Sequence, residues 1–112
     1  MAMKHPKFEV FKGKNGKAYF RLKARSGEVI LASQGYQSPS GCRRAIASVQ
    51  ANAQVAEQFQ EKVAKNGNHY FVLIAKNRQP IGKSEMFSAK PSMKKSIKAV
   101  MSNAPAAIVE SV

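Results

Sequence analysis

Apolar and polar residues alternate in the first quarter of the chain in the manner of a half-buried β-strand. Within residues 19–25, Phe20, Leu22 and Ala24 share one side of such a strand, and polar or basic residues share the other. Apolar segments at residues 8–12 and 29–33 flank this stretch, with turn residues at Asn15-Gly16 and Ser26-Gly27. Asn-Gly favours a hairpin because both residues tolerate a positive φ. The pattern predicts a three-stranded antiparallel meander.

Beyond residue 35 the apolar residues change to the period of an α-helix. Their spacing of four, three and four residues marks one stripe: Cys42, Ile46, Val49 and Ala53. Ser38 is suited to the N-cap of this helix, and Pro39 is suited to its first position. The sequence predicts an amphipathic helix here.

The same order of elements occurs twice. Residues 8–53 align without a gap with residues 59–104, and 14 of these 46 positions are identical, where chance at ~6% per position gives roughly three. The second copy predicts strands at 59–63, 69–76 and 80–84 and a helix from Pro91 to Pro105. Its apolar stripe consists of Met93, Ile97, Val100 and Ala104. We therefore predict a single domain over residues 1–112, with repeat one at 7–54, repeat two at 58–105, and a further strand in the tail, 106–112.

The doubled motif has recognisable features in both copies. Copy one carries Phe8, Asn15-Gly16, residues 19–24 and Ser33 with Tyr36, and copy two carries the counterparts Asn66-Gly67, Tyr70-Phe71, Ser84-Glu85 and Phe87. This pattern resembles the YegP-like family, a domain of unknown function found singly or in tandem, over residues 8–104. The resemblance implies an α+β fold of two tandem β-β-β-α(-β) repeats that form a pseudo-twofold antiparallel sheet and exchange their last strands, with two helices packed on one face. It implies no catalytic residue and no cofactor.

The net charge of the chain indicates a class of function, the binding of polyanions. Nineteen Lys and Arg oppose six acidic residues, all of them Glu, for a net charge of +13 distributed over both repeats. Such a charge concentrates polyanions, including nucleic acids, near the surface. A basic surface that is merely solvated is the alternative.

The number of cysteines and the length of the longest apolar run bear on the cellular compartment. One cysteine cannot form an intramolecular disulfide, which fits a reducing compartment. The longest apolar run, residues 71–75, is far shorter than the ~20 residues that span a bilayer. We expect a cytoplasmic protein without a membrane partner.

The sequence offers little support for catalysis. Cys42 lies on the apolar helical stripe and aligns with Met93, which favours packing over a reactive thiol. His5 and His69 lack the spacing of a zinc site, and a chain without Asp cannot form a Ser-His-Asp triad. We therefore predict no enzymatic activity, no metal and no cofactor.

Two surfaces remain as candidate binding sites. The first hypothesis is a module for anionic partners such as single-stranded nucleic acid, in which cations bind phosphate and an aromatic ring stacks on bases. Its candidate residues are Tyr19, Arg21, Lys23, Arg25, Arg43, Arg44, Lys94, Lys95 and Lys98. The second hypothesis is a protein-interaction or homodimerising module that uses Tyr70, Val72 and Ile74. Two alternatives stay open: the residues of the first set on the sheet simply shield it, or Ile108-Val109 in the tail covers the second set.

Overall fold

A computed structural model describes residues 6–112, which form seven strands and two α-helices around one core. His5 lies outside the described residues. The elements in chain order are β1 (Lys7–Lys12), β2 (Ala18–Lys23), β3 (Val29–Ala32), α1 (Pro39–Asn52), β4 (Phe59–Val63), β5 (His69–Ile74), β6 (Pro80–Lys83), α2 (Lys90–Asn103) and β7 (Ile108–Ser111). Short 3-10 helices at Ala56–Gln58 and Ala104–Ala106 follow the two α-helices.

The seven strands form one sheet in the order β4-β5-β6-β3-β2-β1-β7. Strands β3 and β6 meet at its centre through the antiparallel pair Ala32 and Lys83, which are equivalent positions of the two repeats. Outward from this pair, β6, β5 and β4 follow one another on one side, and their equivalents β3, β2 and β1 follow one another on the other. β7 is an additional strand at the edge beside β1. This arrangement confirms the predicted tandem repeats and their pseudo-twofold relation.

The tail forms the predicted strand, but one detail of the sheet differs from the expectation. β7 pairs with β1 in parallel, with Lys7 opposite Ile108, so the sheet is mixed rather than wholly antiparallel. The connection after α2 crosses the helical side of the sheet beside α1, where Gln50 Nε2 donates to the carbonyl oxygens of Ala104 and Ala107 at 3.2 and 3.3 Å. Such a crossover brings the chain back in the direction of β1. Each helix is thus followed by a strand at the outer edge of the other repeat, β4 or β7.

The core lies between the sheet and the two helices. Each repeat contributes an edge-to-face pair of phenylalanines, Phe8 with Phe20 at 5.8 Å and Phe59 with Phe71 at 5.5 Å between ring centroids. The predicted stripe of α1 is fully buried, whereas Ile97 in the stripe of α2 is only partly buried. Because both helices bury their stripes against the same side of the sheet, its other side is left without helices.

The helix starts and the turns show how the sequence sets these elements. Ser38 Oγ accepts the backbone N–H of Gly41 at 3.2 Å, as expected of an N-cap, while α2 begins one residue before Pro91 without a side-chain cap. In the first turn only Gly16 has a positive φ, 82°. Asn15 instead accepts the backbone N–H of Lys17 through its side chain at 3.0 Å. The hairpin predicted at Asn15-Gly16 therefore forms between β1 and β2, with the positive φ at the glycine and the asparagine acting through its side chain.

Candidate functional site

The side of the sheet without helices, here called the open face, carries the side chains that alternate with the core residues. In β2 the buried residues Ala18, Phe20 and Leu22 alternate with Tyr19, Arg21 and Lys23, which are half-buried on the open face. The register places Lys7, Glu9 and Phe11 of β1 beside them. Glu110 of β7 lies beside Glu9. Three of the predicted anion-binding residues therefore lie together, next to two carboxylates.

Five of these residues form a charge cluster on the open face of repeat one. Glu9 is at its centre with a side chain only 6% exposed. Its carboxylate lies 2.7 Å from Arg21 Nε, 3.3 Å from Lys7 Nζ and 3.3 Å from Lys23 Nζ. Lys7 Nζ also donates to Glu110 Oε1 at 2.8 Å. The charge cluster is thus Lys7, Glu9, Arg21, Lys23 and Glu110.

The cluster holds the central carboxylate in its ionised form. Burial alone would raise the pKa of Glu9, but hydrogen bonds from Arg21, Lys7 and Lys23 outweigh burial and lower that pKa to about 2. The bond with Glu110 raises the pKa of Lys7. Arg21 and Lys23 therefore already have an internal anion, which weakens them as contacts for an external one.

Tyr19, the aromatic candidate of repeat one, also has contact partners within the protein. Tyr19 stacks on Phe11 at 5.8 Å between centroids, and its hydroxyl accepts a hydrogen bond from Asn15 Nδ2 at 2.8 Å. The Arg21 guanidinium lies 4.7 Å from the centroid of the Phe11 ring. Arg25 is exposed beyond the end of β2. Apart from Arg25, the predicted residues of this face are half-buried and have contact partners within the protein, namely Phe11, Asn15 and Glu9.

The predicted helical cations lie on the other side of the molecule. Arg43 donates to Ser111 Oγ at 2.8 Å, and Lys94 forms an ion pair with Glu61 at 3.4 Å in which both side chains are largely solvated. Arg44, Lys95 and Lys98 are exposed, and none of them lies within ion-pair distance of a carboxylate among residues 6–112. The structure therefore separates the nine candidates into two groups on opposite sides of the sheet.

Repeat two has a different open face at the equivalent positions. Gln58, Gln60, Val72 and Ile74 stand where repeat one has Lys7, Glu9, Arg21 and Lys23. No charge cluster forms among the described residues there. A groove of about 720 Å³ crosses the open face instead, running from β4 over β5 and β6 to β3.

The groove combines an apolar floor with basic and amide side chains. Val72, Pro80 and Ile81 line it, together with Lys62 and Lys83, which lie on either side of β5. Tyr70 borders it as the cross-strand partner of Lys62, and Lys83 Nζ lies 5.0 Å from the centroid of the Tyr70 ring. Glu85 and Met86 line the end beyond β6. Within residues 6–112 neither Glu85 nor the two lysines take part in an ion pair.

The structure changes the second set of candidate residues. Tyr70 and Val72 lie on the open face as expected, but Ile74 is only 8% exposed and offers little surface to a partner. The tail does not cover Val72, because β7 lies at the opposite edge of the sheet. Sequence reasoning missed Lys62 and Lys83. At the 51-residue offset these two lysines align with Phe11 and Ala32 of the other copy.

The remaining chemical groups lie in the core. Cys42 is fully buried in α1, and burial raises the pKa of its thiol, while Arg43 opposes the shift. Among residues 6–112, His, Cys and Glu side chains do not assemble into a group of three or more that could hold a metal ion. Neither α1 nor α2 is long and apolar enough to cross a membrane, and the same holds for every helix in the described part of the chain.

Comparisons with known proteins identify the family. Residues 14–60 and 64–110 each match the model of a domain of unknown function, DUF1508. The chain is 41% identical over 110 residues to the UPF0339 protein YegP of Yersinia pestis, covering 98% of this chain and 96% of that protein. It superimposes on the solution structure of yegP from E. coli, described as a protein of unknown function, with a TM-score of 0.91 at 35% identity, covering 99% and 96% of the two chains. For the UPF0339 protein SO3888 from Shewanella oneidensis the TM-score is 0.89 at 39% identity, covering 94% and 89%. The chain therefore belongs to the UPF0339 (YegP) family, with two tandem copies of the DUF1508 domain, which confirms the resemblance seen in the sequence.

Proposed function

We propose that this protein is a non-enzymatic binding module for an anionic partner, and that the partner is a nucleic acid. The observation that carries the proposal is the excess of basic side chains without an acidic partner. Among residues 6–112 the basic side chains within ion-pair distance of a carboxylate are Lys7, Arg21, Lys23 and Lys94. The other basic residues of this part of the chain are solvated cations in the turns, on the helices and in the groove.

Physical considerations support a polyanion as the partner. Unpaired cations at this density raise the local concentration of a polyanion and speed its association. Each phosphate that they contact releases condensed counterions, which gives affinity at low salt. Internal pairing of Arg21 and Lys23 lowers the contribution of repeat one to such contacts, so the exposed cations carry the proposal.

Two other parts of the proposal, the absence of enzymatic activity and the cytoplasmic location, rest on Cys42. A fully buried Cys42 with a raised pKa is a poor nucleophile, which supports a binding role rather than thiol chemistry. As the single cysteine of the chain it has no disulfide partner, so the proposal places the protein in the reducing cytoplasm.

A salt titration tests the proposal. Fluorescence anisotropy with labelled single-stranded and duplex oligonucleotides of equal length measures the dissociation constant from low to moderate salt. We expect tight binding at low salt, a steep linear loss of log affinity against log salt, and a slope reduced by about one for each phosphate-contacting cation removed. Absence of binding at low salt, or an affinity that salt does not change, would refute the proposed function.

A further inference from the structure

The two repeats have the same backbone fold, but their side chains on the open face differ in chemical character. In repeat one, Glu9 and Glu110 form ion pairs with three cations. In repeat two, Gln60 replaces the central glutamate and Val72 replaces its strongest partner, so that the equivalent area is an apolar floor. The strands alone therefore do not set the character of this surface, because the other copy forms the same strands with ion pairs at the equivalent positions.

We infer that this groove is a binding site for single-stranded nucleic acid, in which nucleobases lie on the apolar floor and phosphates contact Lys62 and Lys83. The inference rests on the proposed function and assigns its contact surface to the open face of repeat two rather than to the helices. At about 720 Å³ the groove is within the roughly 300–1,000 Å³ of ordinary ligand sites, and it is open along its length.

The chemistry of the floor explains why a single strand is the expected occupant. Val72 and Pro80 offer apolar contact above the buried Ile81, and Tyr70 at the border offers an aromatic ring. Single strands expose the faces of their bases to such surfaces, whereas a duplex hides them in its stack. An amphiphilic site of this kind therefore favours a single strand over a duplex.

The charges around the floor agree with this assignment. Lys62 and Lys83 lie on the two strands that flank Val72, and both are exposed and free of ion pairs among the described residues. Glu85 is the carboxylate in the lining and lies at the end beyond β6. Phosphates would therefore contact the lysines along the strands and avoid the end at Glu85. The charge cluster of repeat one, in contrast, places two carboxylates at the equivalent surface.

The central experiment closes the groove without changing the net charge of the protein. The double substitution Gln60→Glu with Val72→Arg copies the Glu9–Arg21 pair of repeat one into repeat two. Binding of labelled oligo(dT) and of a duplex of equal length is measured by anisotropy, with the fold of each variant verified by circular dichroism. We expect the affinity for oligo(dT) to fall about tenfold or more, since one stacked base accounts for that factor, and the duplex affinity to stay within about threefold.

A second pair of variants separates local contacts from general charge. Lys62→Gln with Lys83→Gln removes the groove lysines, and Lys14→Gln with Lys65→Gln removes two exposed lysines at equivalent positions of the hairpin turns. We expect the groove pair to reduce the salt slope for oligo(dT) by about two and the turn pair to leave it nearly unchanged.

The possible outcomes distinguish the inference from the proposed function. Equal losses in the groove and turn variants, tighter binding of the duplex than of oligo(dT), or equal competition by heparin, a polyanion without bases, would each overturn the groove as a single-strand site. Loss of binding in Lys95→Gln with Lys98→Gln, but not in the groove variants, would move the contact surface to the helices. In these cases salt-dependent binding would still support the proposed function, whereas its absence for every oligonucleotide would reject both.

Discussion

The substitution Glu9→Gln measures how much stability the charge cluster gives to repeat one. Glutamine is nearly isosteric with glutamate and is the natural residue at the equivalent position 60. The substitution removes the anion that Lys7, Arg21 and Lys23 share. Because these three side chains are partly solvated, they can regain water after the loss. The expected effect is therefore smaller than for a fully buried ion pair.

The magnitude follows from the pKa of Glu9. A carboxyl whose pKa falls from an ordinary value of 4.5 to about 2 on folding would contribute about 3 kcal/mol at neutral pH. Solvent screening around the partly exposed cations reduces this contribution to about 1–2 kcal/mol. Since the pKa is lower in the folded state, the contribution is complete above about pH 4.5 and is lost as the pH falls towards 2.

Urea unfolding followed by circular dichroism provides the assay. At neutral pH the Glu9→Gln variant should lose about 1–2 kcal/mol of unfolding free energy. The difference from the wild type should shrink as the pH falls from 4.5 towards 2. Glu28→Gln is the matched control, because Glu28 is exposed and has no ion pair among the described residues; it should change stability by less than about 0.5 kcal/mol. A Glu9→Gln variant as stable as the wild type at neutral pH, or a deficit that persists unchanged at low pH, would refute the reasoning.

Three further substitutions test how the strands and turns are held. A Cβ at Gly82 would lie 2.7 Å from Leu31 Cδ2 in the core. Gly82→Ala should therefore lower the melting temperature and the unfolding free energy, the latter by about 1–3 kcal/mol, and Leu31→Ala in the same chain should partly relieve this clash. An unchanged melting temperature would contradict the close contact. Arg78 has a φ of 69°, so Arg78→Gly should raise the unfolding free energy by about 1 kcal/mol and Arg78→Ala should not; equal effects would argue against backbone strain. Ser84 Oγ accepts the N–H of Phe71 at 3.0 Å in a buried site, so Ser84→Ala should cost about 1–3 kcal/mol and speed hydrogen exchange at that amide, and unaltered exchange would show that the bond is dispensable.

The fold was largely predictable because its signals are local and occur twice. Alternation in residues 19–25 and the helical spacing of Cys42, Ile46 and Val49 each set one element, and the second copy repeats both. The parallel direction of β7 was not predictable in this way. It depends on where the chain emerges after α2, and the short sequence of the tail contains no information about that path.

The site was less predictable because it depends on register. The alternation of β2 correctly places Arg21 and Lys23 on the open face, but only the pairing of β1 with β2 sets Glu9 opposite Arg21 and neutralises it. Similarly, Lys62 and Lys83 are distant in sequence and join one groove only because β4 and β6 both flank β5. A binding surface built across strands is therefore visible in sequence as separate residues but not as a site.

The four positions that carry the charge cluster in β1 and β2 all differ between the two copies, whereas Tyr19 and Tyr70 on the same face are shared. Shared residues form the scaffold: Ser33 and Ser84 accept the backbone N–H groups of Phe20 and Phe71 at 2.9 and 3.0 Å. The differing residues include the open face, where one copy fills its surface with ion pairs and the other leaves a groove. A duplicated fold needs matching residues only where each copy packs against the helices, so the open faces are free to diverge. Because the charge cluster shows that the same strands tolerate a filled surface, the groove depends on the particular residues that line it rather than on the fold, and this independence makes it the natural place to look for function.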